Sequence, residues 1–185
     1  MAMPKHYFIV NLLIYQVCWF ACVLGAANGV PWVGVIIVAT ATVCHLFAAN
    51  KPVVELVLIG CIVLIGGLWD SFLVTTGWLQ YPNGIFIDSV APYWILSLWV
   101  SFAITLNVSL AWFKQRLWLA SLFGGIGGPL AFFAGQRLGA VEFPNAAVAL
   151  IALAAGWTLL MPLIVLLARR YDGFENSETK ELANV

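Results

Sequence analysis

The groups in this chain with chemistry to offer are few, and they sit among apolar residues. His45 and Glu55 flank the short turn Ala49-Asn50-Lys51-Pro52. Asp70 stands in Trp69-Asp70-Ser71, inside a long apolar run. An ionisable group surrounded by lipid costs roughly 2.5–3.5 kcal/mol or more, so it takes a partner or a task. His45 and Glu55 each lie about one helical turn from the break between their segments. Antiparallel packing would bring them together, either as an ion pair that pins a hairpin or as a proton-transfer pair, since histidine titrates near neutrality. With Asn11 and Asn107, and with Gln16 and Ser109 near the same depth, they form an inner polar cluster.

Asp70 belongs to a second group. It follows Pro52 by 18 residues, about 27 Å along a helix. Near that level are Thr75, Thr76, Gln136, Arg137, Trp94 and Ser97. An Asp70–Arg137 pair would offset both desolvation costs, as a structural clamp or as the polar head of a ligand site. Ser97, Ser101, Thr105 and Ser109 are spaced by four, which makes one polar helix face. Such hydroxyls bond their own backbone or line a path between the two groups. The candidate ligand-binding residues are therefore Asp70, Arg137, Trp69, Trp94, Ser97, Ser101 and Thr105, with Asp70 the candidate acid or base. The deeper tryptophans Trp19, Trp69, Trp94, Trp99 and Trp157 either wall a pocket for a lipid-like ligand or simply pack.

The elements that position these residues are membrane helices. Of 185 residues, 63% are hydrophobic and 9% charged, with a mean hydropathy of +1.01. Soluble domains carry about a quarter charged residues. A spanning helix needs about 20 apolar residues, and six runs qualify: 7–28, 31–49, 52–78, 91–113, 117–138 and 145–168. The first is longer than the apolar core of a signal peptide and is expected to be a retained span. Asn28-Gly29-Val30-Pro31, Asn50-Lys51-Pro52, Tyr81-Pro82-Asn83-Gly84 and Phe143-Pro144-Asn145 supply turn chemistry between them. No period-two alternation suggests a β-barrel. The expected fold is all-α, a polytopic helix bundle in residues 1–170, followed by a loosely ordered tail, 171–185.

Six spans put Lys5, Lys51, Lys114, Arg116, Arg169, Arg170 and Lys180 on one side and Arg137 alone on the other. Basic residues resist translocation, so the first side, with both termini, is expected to be cytoplasmic. Gly124, Gly128, Ala131, Gly135 and Gly139 form a small-residue stripe suited to close helix packing. Pro129 and Pro162 each remove a helical hydrogen bond. The run Gly124-Gly125-Ile126-Gly127-Gly128-Pro129 is expected to be the weakest helix, either a packed kink or a break that lines a site.

Zero net charge gives no sign of nucleic-acid binding. Cys18, Cys22, Cys44 and Cys61 lack the spacing of a disulfide framework or zinc site. The glycine run lacks the Gly-Lys-Ser/Thr ending of a phosphate loop. No cofactor or metal is expected.

Asn11, Trp19-Phe20, Asp70, Trp94 through Leu98-Trp99 with Phe102 and Leu106, Ser109-Leu110-Ala111-Trp112, and Gly124 through Gly127-Gly128-Pro129-Leu130-Ala131 with Gly135 and Leu138-Gly139-Ala140 resemble a bacterial inner-membrane family known as domain of unknown function 2878. The resemblance covers the first five spans at least. It implies a proteobacterial inner-membrane protein of similar length, and it supplies no activity. Three functions compete: a binding or transport component for a small lipid-like molecule, the favoured one; an intramembrane lipid enzyme using Asp70; and a structural or chaperone partner of another membrane protein. The expected partners are membrane lipid, a lipid-like small molecule, and another copy of the chain or a second membrane protein.

Overall fold

A computed structural model describes residues 5–175. The chain forms six α-helices, α1 (Lys5–Ala27), α2 (Trp32–Ala48), α3 (Pro52–Thr75), α4 (Tyr93–Ala103), α5 (Leu117–Arg137) and α6 (Ala146–Arg170), with a short 3-10 helix at Ala111–Gln115. Helices α1, α3, α5 and α6 are long and apolar enough to cross a membrane, while α2 and α4 are shorter. Pro52 opens α3 at its first turn, where its missing N–H costs nothing. Asn145 caps α6 by accepting a hydrogen bond from the Val148 N–H at 3.2 Å. Gly29 and Gly139 adopt φ of +75° and +86° just past α1 and α5, which lets the chain reverse there.

The bundle has two distinguishable ends. Lys51 and Lys114 meet the residues after α6 at the basic end, where Arg169 also donates to the Lys114 carbonyl. Segments 76–92 and 138–145 meet at the loop end, where Gln80 and Glu142 exchange backbone hydrogen bonds of 3.0 and 2.7 Å. Helix α4 packs against α1, α2 and α3, while α5 and α6 pack chiefly on each other. The molecule is thus a four-helix unit beside a helical hairpin, joined mainly where α3 touches α6 and through the 3-10 helix.

The glycines of α5 explain how tight that hairpin is. A Cβ on Gly124 would strike the Trp157 carbonyl and Met161, and one on Gly125 would strike the Thr158 hydroxyl. Of the two alternatives for the Gly–Pro run, the break is absent: α5 stays helical from Leu117 to Arg137, with its glycines packed closely on α6. Backbone groups freed inside an apolar bundle have no water to bond, which favours retaining the rest of the helical ladder.

The break lies instead in the fourth apolar run, expected as one helix over 91–113. Helix α4 ends at Ala103 after 11 residues, about 16 Å, and the chain continues through turns to the 3-10 helix. Residues 104–109 are buried. Non-helical backbone at this depth is tolerated only when protein satisfies it, and Asn11 of α1 supplies the bonds. Its Nδ2 donates to the Ile104 carbonyl at 3.0 Å, and its Oδ1 accepts from the Ser109 hydroxyl at 2.6 Å and the Ser109 N–H at 3.3 Å. The Thr105 hydroxyl adds a bond to the Phe102 carbonyl at 2.6 Å. Side-chain bonds of this kind compete with the helical ladder, and β-branched Ile104, Thr105 and Val108 weaken it further.

Other differences are smaller. Helix α3 stops at Thr75, where Thr76 and Gly77 turn the chain into the loop. Cys44 is exposed, whereas Cys18 and Cys22 are buried and free. Residues 171–175 of the expected loose tail are bonded in place: the Lys51 N–H donates to the Gly173 carbonyl at 2.9 Å, Asn50 donates to the Phe174 carbonyl at 3.0 Å, and Lys114 pairs with Asp172 at 2.7 Å. The rest of that tail lies outside the described residues.

Asn11→Ala strands three polar groups of the unwound stretch in a dry interior and is expected to cost about 2–3 kcal/mol. Ser109→Ala removes one donor only and should cost less. Equilibrium unfolding of both variants in detergent checks the order.

Candidate functional site

Between the four-helix unit and the hairpin lies a cavity of about 150 Å³. Helix α1 contributes Tyr15, Trp19 and Val23 to its wall, and α4 contributes Trp94, Ile95, Leu98, Trp99 and Phe102. The glycine face of α5 (Gly124, Gly127, Gly128, Ala131 and Gly135) forms the opposite wall, with Trp157 and Met161 of α6 beside it. Asp70 of α3 and Tyr81 of the loop complete it. The space exists because the tryptophans are large and the facing positions small. A Cβ on Gly66 would run into the Trp99 indole, and one on Gly128 into that of Trp157. With both rings seated on glycine, they stack across the gap, centroids 4.9 Å apart and planes 8° from parallel. Phe102 closes edge-on against each.

Asp70 is fully buried. Its Oδ2 accepts a hydrogen bond from Trp99 Nε1 at 2.6 Å, and its Oδ1 has no hydrogen-bond partner. The Tyr81 hydroxyl and Trp157 Nε1, also buried, are unpartnered too. Burial, and after it the Asp70 carboxylate, push the Tyr81 hydroxyl well above the ordinary tyrosine value, so it remains a donor. Tyr81 is held edge-on to Trp94 at 5.6 Å, and Trp94 Nε1 donates to the Asn83 carbonyl at 3.1 Å. Asn83 in turn donates to the Ala26 carbonyl at the end of α1 at 2.9 Å, so the loop is fastened over the cavity. Buried polar atoms without partners are rare in folded proteins and each calls for an explanation. Three of them line this one cavity.

The residues expected around Asp70 divide sharply. Trp94 lines the cavity. Arg137 does not reach it: the side chain is exposed at the end of α5, and the ion pairs among the described residues are His45–Glu55 and Lys114–Asp172. The Asp70–Arg137 pair is therefore replaced by the Asp70–Trp99 bond. Trp69 is likewise outside the lining, its ring lying where a Cβ on Gly156 would sit. Ser97, Ser101 and Thr105 also turn away, donating to the backbone carbonyls of Tyr93, Leu98 and Phe102 at 3.1, 2.9 and 2.6 Å. Sequence reasoning missed Tyr81 and Tyr15. Tyr81 precedes the Pro-Asn-Gly turn and carries no periodic signal. Tyr15 was legible only as one more aromatic four residues before Trp19.

At the basic end the inner cluster resolves into two. Asn11 and Ser109 brace the unwound stretch, as described. Glu55, fully buried, takes the other role. It lies 2.8 Å from His45 Nε2 and accepts from Asn107 Nδ2 at 2.6 Å and from the Gly173 N–H at 2.7 Å. Asn107 also donates to the Tyr171 carbonyl at 2.9 Å. The His45 ring packs against Phe174 with centroids 5.0 Å apart. One carboxyl thus ties together α2, the unwound stretch and the segment after α6. Among the described residues no group of three His, Cys, Asp or Glu side chains is arranged to hold a metal ion.

A family model described as "Protein of unknown function (DUF2878)" matches residues 8–163. No curated protein and no solved structure matches the chain.

Glu55→Ala leaves His45, Asn107 and the Gly173 N–H without their common acceptor. Removing one member of a buried pair costs about 3–5 kcal/mol, and the segment 171–175 loses its deepest anchor. Lower unfolding stability together with faster proteolysis near Gly173 is the expected result.

Proposed function

From its place in the DUF2878 family, to which the chain belongs and whose description names no activity, we propose that it is a multi-pass membrane protein that binds a small lipid-like molecule between α1–α4 and the α5–α6 hairpin. We infer further that it makes six passes, with both termini in the cytoplasm of a bacterial inner membrane. The distribution of Lys and Arg supports that orientation: Lys51, Lys114 and Arg169 gather at one end of the bundle.

The observation that carries the binding reading is Asp70. It is fully buried in the wall of a mostly aromatic cavity with one oxygen unpartnered. Ligand sites are commonly apolar hollows with a few well-placed polar groups, and those groups here are Asp70, Tyr81 and Trp157. The cavity also borders the exposed face of α5, where Phe123 is both a lining residue and about half exposed. Access from the lipid between α1 and α5 fits an apolar ligand, and those two helices make no extensive contact.

An enzyme reading is less well supported. The cavity lining contains one carboxyl and no Ser, Thr, Cys, His or Lys. Acid–base chemistry usually couples such a carboxyl to a nucleophile or a second titrating group. Asp70 supplies charge and a hydrogen-bond acceptor, which suit binding.

Native mass spectrometry of the purified protein, followed by lipid extraction, tests the proposal. A defined molecule should remain with the wild-type chain and be lost from Asp70→Asn and Trp157→Ala at unchanged helix content. A chain that carries only bulk phospholipid, unaffected by either substitution, would move the weight to a partner-protein role. Topology is checked separately. A cytoplasm-dependent reporter fused after Arg170 should be active and a periplasm-dependent one silent, and the reverse pattern would remove the six-span arrangement.

A further inference from the structure

Resting on the binding reading above, we propose that the cavity's ligand is an organic cation, an amphiphile whose amine or quaternary ammonium head seats against Asp70 while its apolar part lies along the glycine face of α5. Asp70 is the single formally charged residue in the lining. No Lys or Arg lines the cavity: Lys114 pairs with Asp172, and Arg116, Arg137, Arg169 and Arg170 are exposed. A wholly apolar ligand would leave Oδ1 without compensation, and an anion would be repelled by an ionised carboxyl. A cationic head compensates the carboxylate charge, and a protonated amine also donates an N–H to Oδ1.

The walls point the same way. Cations bind to the faces of Trp and Tyr rings, most strongly where water is excluded. Tyr81 and Trp94 offer such rings in the same lining as Asp70, whereas the faces of Trp99 and Trp157 are taken up by each other and by Gly66 and Gly128. A hard inorganic cation demands six or more oxygen ligands. The side chains here offer Asp70 and the hydroxyls of Tyr15 and Tyr81, so an organic cation is the better fit. Room for the apolar part lies along α5 at Gly127, beside Phe123, because Gly124 and Gly128 are already covered by Met161 and Trp157.

The test uses the full-length protein in neutral maltoside micelles. The probes are dodecyltrimethylammonium, its uncharged tert-butyl isostere and dodecyl sulfate, read by tryptophan fluorescence and calorimetry. The cation should bind saturably and about tenfold or more tighter than the isostere, with the sulfate showing no saturable site. This comparison is made on the unaltered chain, so it does not depend on a variant that folds. Asp70→Asn, where it folds, should bring the cation's affinity down to that of the isostere, and Gly127→Leu, which narrows the cavity beside Phe123, should weaken both. Equal affinity for cation and isostere would overturn the ligand class while leaving a binding cavity in place. Failure of every probe to saturate the site would overturn the ligand class and the binding reading together.

Discussion

The structure depends on satisfying backbone that is not helical in a place without water. Residues 104–110 leave the helical ladder in the middle of an apolar bundle, and their peptide groups must find partners within the protein. Asn11 is the residue that makes this tolerable. Its amide carries a donor and an acceptor on separate atoms, which a carboxylate does not, so one side chain serves a carbonyl at 104 and an N–H at 109. The consequences spread outward from there. Shortening α4 puts Asn107 within reach of Glu55 and the Tyr171 carbonyl, and Glu55 then gathers His45 and Gly173. The polar bonds of the basic end follow from the decision of one segment not to be a helix.

A second constraint acts through size. In lipid there is no hydrophobic drive to bring helices together, so fit between surfaces matters more. Here the fit is repeatedly tryptophan on glycine: Trp99 on Gly66, Trp157 on Gly128, Trp69 on Gly156 and Trp94 on Gly84. Each large ring is held by a position that admits no side chain, so the rings are fixed where they stand. Two of them meet face to face across the gap between α4 and α6. The hollow beside them is therefore bounded by rings with little freedom to collapse into it. Asp70 sits at its edge because Trp99, seated on Gly66 one turn before it on the same helix, offers its indole N–H to the carboxyl.

How much of this could be read from the chain follows from which signals are local. Helix positions were legible because apolar runs and the Pro-, Asn- and Gly-bearing breaks between them are properties of neighbouring residues. Contact between His45 and Glu55 was legible for the same reason, since a three-residue turn leaves antiparallel helices little choice. Asp70 stood out as a charge in an apolar run. Its partner did not, because choosing Trp99 over Arg137 depends on which helices face each other. The hydroxyl stripe had the spacing of a path, yet Ser97, Ser101 and Thr105 bond carbonyls of their own segment and Ser109 bonds Asn11, and spacing cannot distinguish these outcomes. The glycine–proline run allowed either a packed kink or a break, and α5 stays helical. Pro129 marks a weak helix in isolation, but α6 packed on the glycine face supports it. Meanwhile Ile104 to Ser109 contains neither Gly nor Pro and breaks because Asn11, nearly a hundred positions earlier, offers a better arrangement.

The strap at residues 171–175 bears on the order in which the molecule is assembled. Glu55 lies early in the chain and Gly173 near its end, 118 positions apart. Chains emerge from the ribosome N-terminal end first, so through most of synthesis Glu55 lacks the Gly173 N–H, and Asn107 lacks the Tyr171 carbonyl. The last stitch closes only when α6 is in place and the chain beyond it has returned to the α2–α3 turn. Glu55 thereby links an early part of the chain to a late one: a chain that stops before Gly173 leaves the buried carboxyl without that N–H donor.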